Sequence, residues 1–285
     1  MNKPRFDRIL PLISLVILGL MVVFLLESSP DNPLVARISD DFPVISVAWI
    51  IIALLVIIIS TGADLLARAH PELEHSSLLR LPGPLRRFEV TPVFWVLPSA
   101  AVVSSFAFFR LFRATLEGTA FILVLLACGI LLTVTLVAQH YALDRDPAIR
   151  DKARTATQAV AYLVGFGLFS AIAYAHYRVI FTGGLMFAAS VPLAYRLLTK
   201  KVNEYRRPLV IAVLVVGVVM AEASAILNYW PAPFLINGTV LLGLFYIFVN
   251  LLQHSQNGTL DRRIVWELSL LGVLIFGVLA GSTIW

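Results

Sequence analysis

The sequence has few charged residues and a single cysteine. Only 14% of its 285 residues are charged, whereas an ordinary soluble domain has about 25%. Hydrophobic residues make up 59%, more apolar surface than a soluble chain of this length can hide. These figures exclude a secreted domain, a cytosolic enzyme and a disordered regulator. Cys128 has no second cysteine, which excludes an internal disulfide and a cysteine-based metal site.

Long polar segments and known short motifs are also missing. The largest segment between apolar runs, Asp64 to Glu89, is too short for a soluble domain. There is no P-loop, no G-x-S-x-G, no H-E-x-x-H and no zinc-finger or helix-turn-helix pattern. The net charge of +5 therefore fits loops against an anionic membrane surface better than nucleic acid. We expect no nucleic-acid partner and no cofactor.

What the sequence does contain is a series of apolar runs. A helix needs about 20 apolar residues to cross the hydrocarbon core of a bilayer, and nine runs come close to or exceed that length. The sequence predicts an all-α, polytopic transmembrane helix bundle, forming a single integral membrane domain over 1–285. The predicted spans are 9–26, 44–63, 90–109, 118–139, 155–176, 179–195, 208–227, 232–253 and 266–284.

The lysines and arginines predict the orientation of these spans. With nine spans and a cytoplasmic N-terminus, only Arg37, Arg110, Arg113 and Arg178 fall outside. Cytoplasmic loops are enriched in basic residues, so the N-terminus is predicted to be cytoplasmic and Trp285 to lie outside. The first span, which no small-residue cleavage site follows, is predicted to be a retained signal anchor.

Two similar triplets indicate an internal repeat. Span 4 begins at Glu117-Gly118-Thr119 and span 8 at Asn237-Gly238-Thr239, and both spans end in a Gln-His pair. Since the two spans share one orientation, spans 3–5 and 7–9 would form a parallel three-helix repeat, as in several transporter folds. The alternative is that apolar helices resemble one another by composition alone.

Span 3 opens with Trp95-Val96-Leu97-Pro98. With this segment and its general layout, the chain resembles uncharacterised bacterial multi-span integral membrane proteins assigned to a family of unknown function. The resemblance brings no activity and no site residues. The lack of eukaryotic features predicts the inner (plasma) membrane of a bacterium, with a multi-pass topology.

Glu222 is predicted to be a functional carboxylate because it is the acidic residue deepest within an apolar span. A charge at the bilayer centre costs about 3 kcal/mol on insertion scales, so this group should be protonated, paired or facing a polar cavity. Gly217, Ala221 and Ala225 lie beside it and would let another helix approach closely. The functional interpretation is a proton- or cation-responsive group, and the alternative is a neutral acid hydrogen-bonded in a helix contact.

Span 8 ends in a polar stripe formed by Tyr246, Asn250, Gln253, His254 and Asn257. At 100° per residue these side chains share one face of a helix. Amide and imidazole groups avoid lipid, so the stripe is expected to face the bundle interior or a vestibule open to the cytoplasm. The alternative is a ladder of interhelical hydrogen bonds.

Spans 4 and 5 add further polar candidates. The spacing of His140 and Asp144 suits an oriented imidazole, and Gln158 and Tyr162 share a face of span 5 that would line the same cavity. Their alternative role is to support helix contacts. His140, Asp144 and His254 include metal-ligand types, but no metal-site signature is present, so no metal site is predicted.

These features favour a small carrier, or a membrane protein that binds a lipid or small molecule, with Glu222 as a buried carboxylate. Two alternatives remain open. One is a non-catalytic subunit of a larger membrane complex. The other is a membrane-embedded enzyme that acts on a lipid headgroup at the cytoplasmic face through His140, Asp144 and His254. A non-enzyme is favoured, with membrane lipids and other membrane subunits as the expected partners.

Overall fold

A computed structural model describes residues 4–28, 35–36, 45–70, 79–80, 89–90, 92–112, 116, 118–199, 207–259 and 261–281. Within these ranges, nine α-helices are each long and apolar enough to cross a membrane, which confirms the all-helical polytopic architecture. They are α1 (Phe6–Ser28), α2 (Val47–Arg68), α3 (Pro92–Leu111), α4 (Thr119–Tyr141), α5 (Pro147–Tyr174), α6 (Val179–Leu198), α7 (Arg207–Leu227), α8 (Phe234–Asn257) and α9 (Arg262–Gly281).

In the part of the chain that the structure describes, four strands of two residues each accompany the helices. They form two antiparallel pairs, β1 (Val35–Ala36) with β2 (Ile45–Ser46), and β3 (Leu79–Arg80) with β4 (Glu89–Val90). Predicted span positions 44, 91 and 282–284, like most of the predicted loop 64–89, lie outside the described residues.

Several helices extend past the apolar runs that predicted them, and α5 and α2 do so by the most residues at one end. α5 begins at Pro147 rather than at 155, because Asp146 Oδ1 accepts a hydrogen bond from the backbone N–H of Ala148 and proline suits the first helical position. α2 continues to Arg68 rather than ending at 63. Asp64 therefore lies in a helix, so the prediction that it begins the loop is wrong. Hydropathy marks where apolar residues stop, not where backbone hydrogen bonding stops.

The chain divides into two compact units, between Ala161 and Tyr162 of α5. The first unit contains α1–α4, in which α2 packs against α1 and α3, and α4 packs against the same two helices. Gly19 lets α1 approach α2, since a Cβ there would lie 2.5 Å from Leu55 Cδ2. Phe24 of α1 stacks on Phe121 of α4 with ring centroids 4.3 Å apart, and Phe109 of α3 completes the cluster.

The second unit contains the last part of α5 and α6–α9. α6 and α7 approach closely because Gly217 leaves room for Val191 and Phe187. The prediction that the small residues beside Glu222 admit another helix is therefore confirmed. α8 packs against α6, α7 and α9, and its Phe245 meets Phe169 of α5 edge to face at 5.4 Å in the core.

The two triplets that indicated a repeat have different local structures. Gly118 precedes α4 with a φ of 54°, whereas Gly238 lies inside α8. A Cβ at Gly238 would collide with Ser170 Oγ, so this glycine serves a close contact between α8 and α5. The two glycines thus have different structural roles, and the similarity of the two triplets no longer supports the predicted repeat.

Candidate functional site

A cavity of about 280 Å³ lies among α1, α2, α3 and α4 of the first unit. This size is close to the lower end of the usual range for small-molecule sites, roughly 300–1,000 Å³. Among the described residues, most of the lining is apolar and three side chains are polar. The apolar residues are Ile9, Ala63, Leu66, Ala67, Ala69, Phe94 and Leu136, and the polar residues are Arg5, Gln139 and His140.

The cavity is at one end of these helices. Arg5 precedes α1, Ala69 follows α2, Phe94 lies in the first turn of α3 and His140 lies in the last turn of α4. Two helices therefore begin and two end around it, as an antiparallel bundle requires. If the orientation predicted from the basic residues holds, this is the cytoplasmic end.

Gln139, which lines the cavity, carries a buried hydrogen-bond donor. The residue is 3% exposed, and its Nε2 has no hydrogen-bond acceptor among the described residues. Leaving a buried polar group without a partner costs about 1–3 kcal/mol. A ligand with an acceptor atom would satisfy this donor.

His140 belongs to a pair of histidines. Its ring meets that of His70 edge to face, with centroids 4.7 Å apart and an interplanar angle of 69°. His70 is 4% exposed and lies in the turn after α2, where its backbone N–H donates to the backbone carbonyl of Ala67. The sequence predicts a role for His140 but none for His70, because His70 follows the apolar run of α2 and precedes a proline, which breaks helices. The sequence predicts both histidines on the cytoplasmic side of the membrane, and this shared side is the signal that could have paired them.

An ion pair on α2 flanks the cavity. Arg68 Nη2 lies 2.5 Å from Asp64 Oδ2, and the side chains are 32% and 7% exposed, respectively. Each residue follows a cavity residue in sequence, Ala63 or Ala67. The arginine offsets the charge of the buried carboxylate, so the pair adds no net charge beside the cavity.

Asp144 shapes the connection between α4 and α5. Its carboxylate accepts a hydrogen bond of 3.1 Å from the backbone N–H of Asp146, the residue that caps α5. The cavity lining includes His140 but not Asp144. The structure thus gives this predicted site residue a local role in the turn.

The polar stripe of α8 contacts neighbouring helices within the second unit. Asn250 Nδ2 donates to the carbonyl of Tyr246 at 2.8 Å and to the hydroxyl of Tyr162 on α5 at 3.4 Å. Gln253 Nε2 donates to the carbonyl of Leu197 on α6 at 2.9 Å. These contacts match the alternative prediction, a ladder of interhelical hydrogen bonds.

His254 lies at the end of the same stripe and closes α8. Its Nδ1 lies 3.1 Å from Thr259 Oγ1, across the turn at Gly258, which has a φ of 65°. The side chain of Asn257 lies outside the described residues. His140 and His254 belong to different units, and each has its own neighbours there.

Two predicted site residues are exposed. The expectation that Glu222 is buried is wrong, because its side chain lies on the surface of α7. It makes no hydrogen bond or ion pair with any described residue. Gln158 is also exposed, whereas Tyr162 on the same helix is half-buried.

A family model described as Protein of unknown function (DUF5656) matches residues 29–281, and the chain therefore belongs to that family. No curated protein and no solved structure matches it.

Proposed function

We propose that this family member binds a small anionic group, such as the phosphate of a lipid headgroup, in the cavity of its first unit. The observation that supports the proposal is the Gln139 amide, which is buried at the cavity wall and has a donor without an acceptor. An anionic oxygen is the strongest acceptor available to such a donor, because hydrogen bonds to charged groups are shorter and stronger than neutral ones.

The charges around the cavity favour an anion. Arg5 supplies a guanidinium that can only donate hydrogen bonds. The nearby carboxylate of Asp64 is already bound by Arg68. The positive charge of Arg5 is therefore left to attract a ligand, and His140 adds a ring that can donate or accept.

The apolar wall favours a ligand with a hydrocarbon part. Leu66, Phe94 and Leu136 form much of this wall, while the polar groups lie at the helix ends, the level at which lipid headgroups lie. An anionic lipid would contact the apolar wall with its hydrocarbon chain and the polar groups with its headgroup. A soluble phosphate would use only the polar half.

The experiment measures binding to the full-length protein in mild detergent. Short-chain phosphatidylglycerol is the anionic lipid probe, glycerol 3-phosphate the soluble probe and short-chain phosphatidylcholine the zwitterionic control. Gln139→Leu keeps the side-chain size but removes the donor. Losing a hydrogen bond to a charged ligand costs about 1.5–3 kcal/mol, which raises Kd roughly 10- to 100-fold.

Thr135→Val is the matched control. Thr135 is fully buried one turn from Gln139 on α4, and its hydroxyl donates to the carbonyl of Leu131 rather than lining the cavity. We expect this variant to bind phosphatidylglycerol like the wild type. Equal Kd values for Gln139→Leu and the wild type, or no binding of either anionic probe, would reject the proposal.

Glu222 supports a second candidate function, that of a subunit in a larger membrane complex. It lies in a span, on an exposed stripe with Ile211, Val215, Val218 and Ile226. A carboxylate facing lipid is unfavourable, and a partner helix that offers a donor at this depth would cover it. Native mass spectrometry in mild detergent tests this function. A complex that dissociates in Glu222→Leu supports it, and a monomer in both proteins rejects it.

A further inference from the structure

A second, much smaller cavity lies within the second unit. Its volume is about 10 Å³, room for one particle of the size of a water molecule. α5 and α7 end around it, while α6 and α8 begin there. Two helix C-termini and two helix N-termini surround the cavity, so the effects of the helix dipoles largely cancel there. The side chains therefore determine what the cavity binds. It lies at the end of the unit that is predicted to face outside.

Three polar side chains of this cavity donate hydrogen bonds to backbone carbonyls. Thr182 Oγ1 donates to the carbonyl of Tyr177 at 3.1 Å, and Ser224 Oγ donates to the carbonyl of Ala221 at 2.8 Å. The amide of Asn237 donates to the carbonyl of Ala232 at 3.3 Å. Each of these residues is at most 4% exposed. Their hydroxyl and amide oxygens keep lone pairs with which they can bind an occupant.

Asn237 has the clearest requirement for an occupant. Its Oδ1 is buried and has no hydrogen-bond donor among the described residues. Asn228, which also lines the cavity, likewise uses its Nδ2 on the carbonyl of Tyr177, at 3.5 Å. The described lining therefore offers neutral side-chain oxygens to an occupant.

We infer that this cavity binds one monovalent cation of about the size of a water molecule, and that this cation is sodium. Its ligands are the side-chain oxygens of Thr182, Ser224, Asn228 and Asn237. Hard cations take oxygen ligands, and a divalent ion would require carboxylates. No carboxylate is present among the described residues that line this cavity. Sodium sites in membrane proteins use the same kind of neutral oxygen at helix ends. The site is independent of the anion cavity in the first unit.

The test is the unfolding midpoint of the full-length protein in sodium chloride and in choline chloride at equal ionic strength. Binding to the folded state alone stabilises it, and we expect sodium to raise the midpoint by roughly 2–4 °C. The same buffer and pH are used with both salts. Asn237→Ala should abolish the rise, whereas Asn237→Asp, which adds an anionic oxygen, should retain it.

Ser170→Ala is the matched control. Ser170 is 2% exposed, its hydroxyl has no hydrogen-bond partner among the described residues, and it does not line the cavity. This variant should keep the sodium-dependent rise. Equal midpoints of the wild type in the two salts would show that the cavity holds water only, and a rise that persists in Asn237→Ala would also overturn the proposal. If Asn237→Ala does not fold, Ser224→Ala and Thr182→Val replace it with the same expected result.

Discussion

The rings of His70 and His140 meet edge to face, with their centroids 4.7 Å apart. His70 is almost fully buried in the turn after α2, and His140 lies at the end of α4 on the wall of the cavity. The contact links a buried ring, fixed by the turn, to a ring that a ligand can reach. His70 is therefore placed to position His140 without touching the ligand.

Replacing His70 tests this positioning role. His70→Ala removes the ring that His140 packs against, and we expect phosphatidylglycerol to bind roughly 5- to 10-fold more weakly, a loss of about 1 kcal/mol of aromatic contact. His70→Phe keeps a ring in place and should bind like the wild type. Binding is measured by titration of the detergent-purified protein. Unchanged affinity in His70→Ala would show that His140 does not need this contact.

Gln139 is expected to reduce the stability of the ligand-free protein. Its buried Nε2 lacks an acceptor among the described residues, and replacing such a group by an apolar one of similar shape removes the cost of about 1–3 kcal/mol. Gln139→Leu should therefore raise the unfolding midpoint without ligand while weakening ligand binding. Such opposite effects are typical of functional sites. A lower midpoint for this variant would show that the amide has a structural role.

The architecture was predictable because each span is an apolar run of suitable length, whereas the exposed side of a span was not. α7 shows the reason. Its exposed Ile211 and Val218 are as apolar as its buried Val213 and Val216, so hydropathy does not distinguish lipid from protein around this helix. Glu222 was expected inside for its charge alone, yet it lies on the exposed side.

The candidate site was predicted only in part, for a related reason. His140 stood out because a polar residue ends an apolar run. His70 and Asp64 did not, because they follow the apolar run of α2, where the sequence shows only that hydropathy falls. Their importance comes from tertiary contacts, with His140 in one case and with Arg68 on an extended helix in the other.

The ion pair on α2 should respond unequally to the loss of each partner. Arg68→Gln leaves a carboxylate that is 7% exposed without its guanidinium, whereas Asp64→Asn leaves an arginine that is 32% exposed and reaches water. Breaking a buried pair lowers the free energy of unfolding by about 3–5 kcal/mol. We expect the loss in Arg68→Gln to approach this range and the loss in Asp64→Asn to be less than half as large. Unfolding midpoints of the two variants check the order. Equal losses would contradict the burial difference on which it rests.

The packing of α6 on α7 depends on Gly217 having no side chain. A Cβ at this position would lie 2.5 Å from Val191 Cγ2 and 2.8 Å from the ring of Phe187. Overpacking of this kind costs about 1–3 kcal/mol, which exceeds the gain of about 1 kcal/mol in helix propensity from glycine to alanine. Gly217→Ala should therefore lower the unfolding midpoint.

Gly184 on α6 provides the control for this substitution. A Cβ there meets no atom within 4 Å, so Gly184→Ala gains propensity without overpacking and should leave the midpoint unchanged or raise it. Adding Val191→Ala to Gly217→Ala removes the clashing methyl groups and should recover part of the loss. The loss of stability in the double variant is compared with the sum of the losses in the two single variants. If the two are equal, the residues do not interact, and the close approach of α6 and α7 needs another explanation.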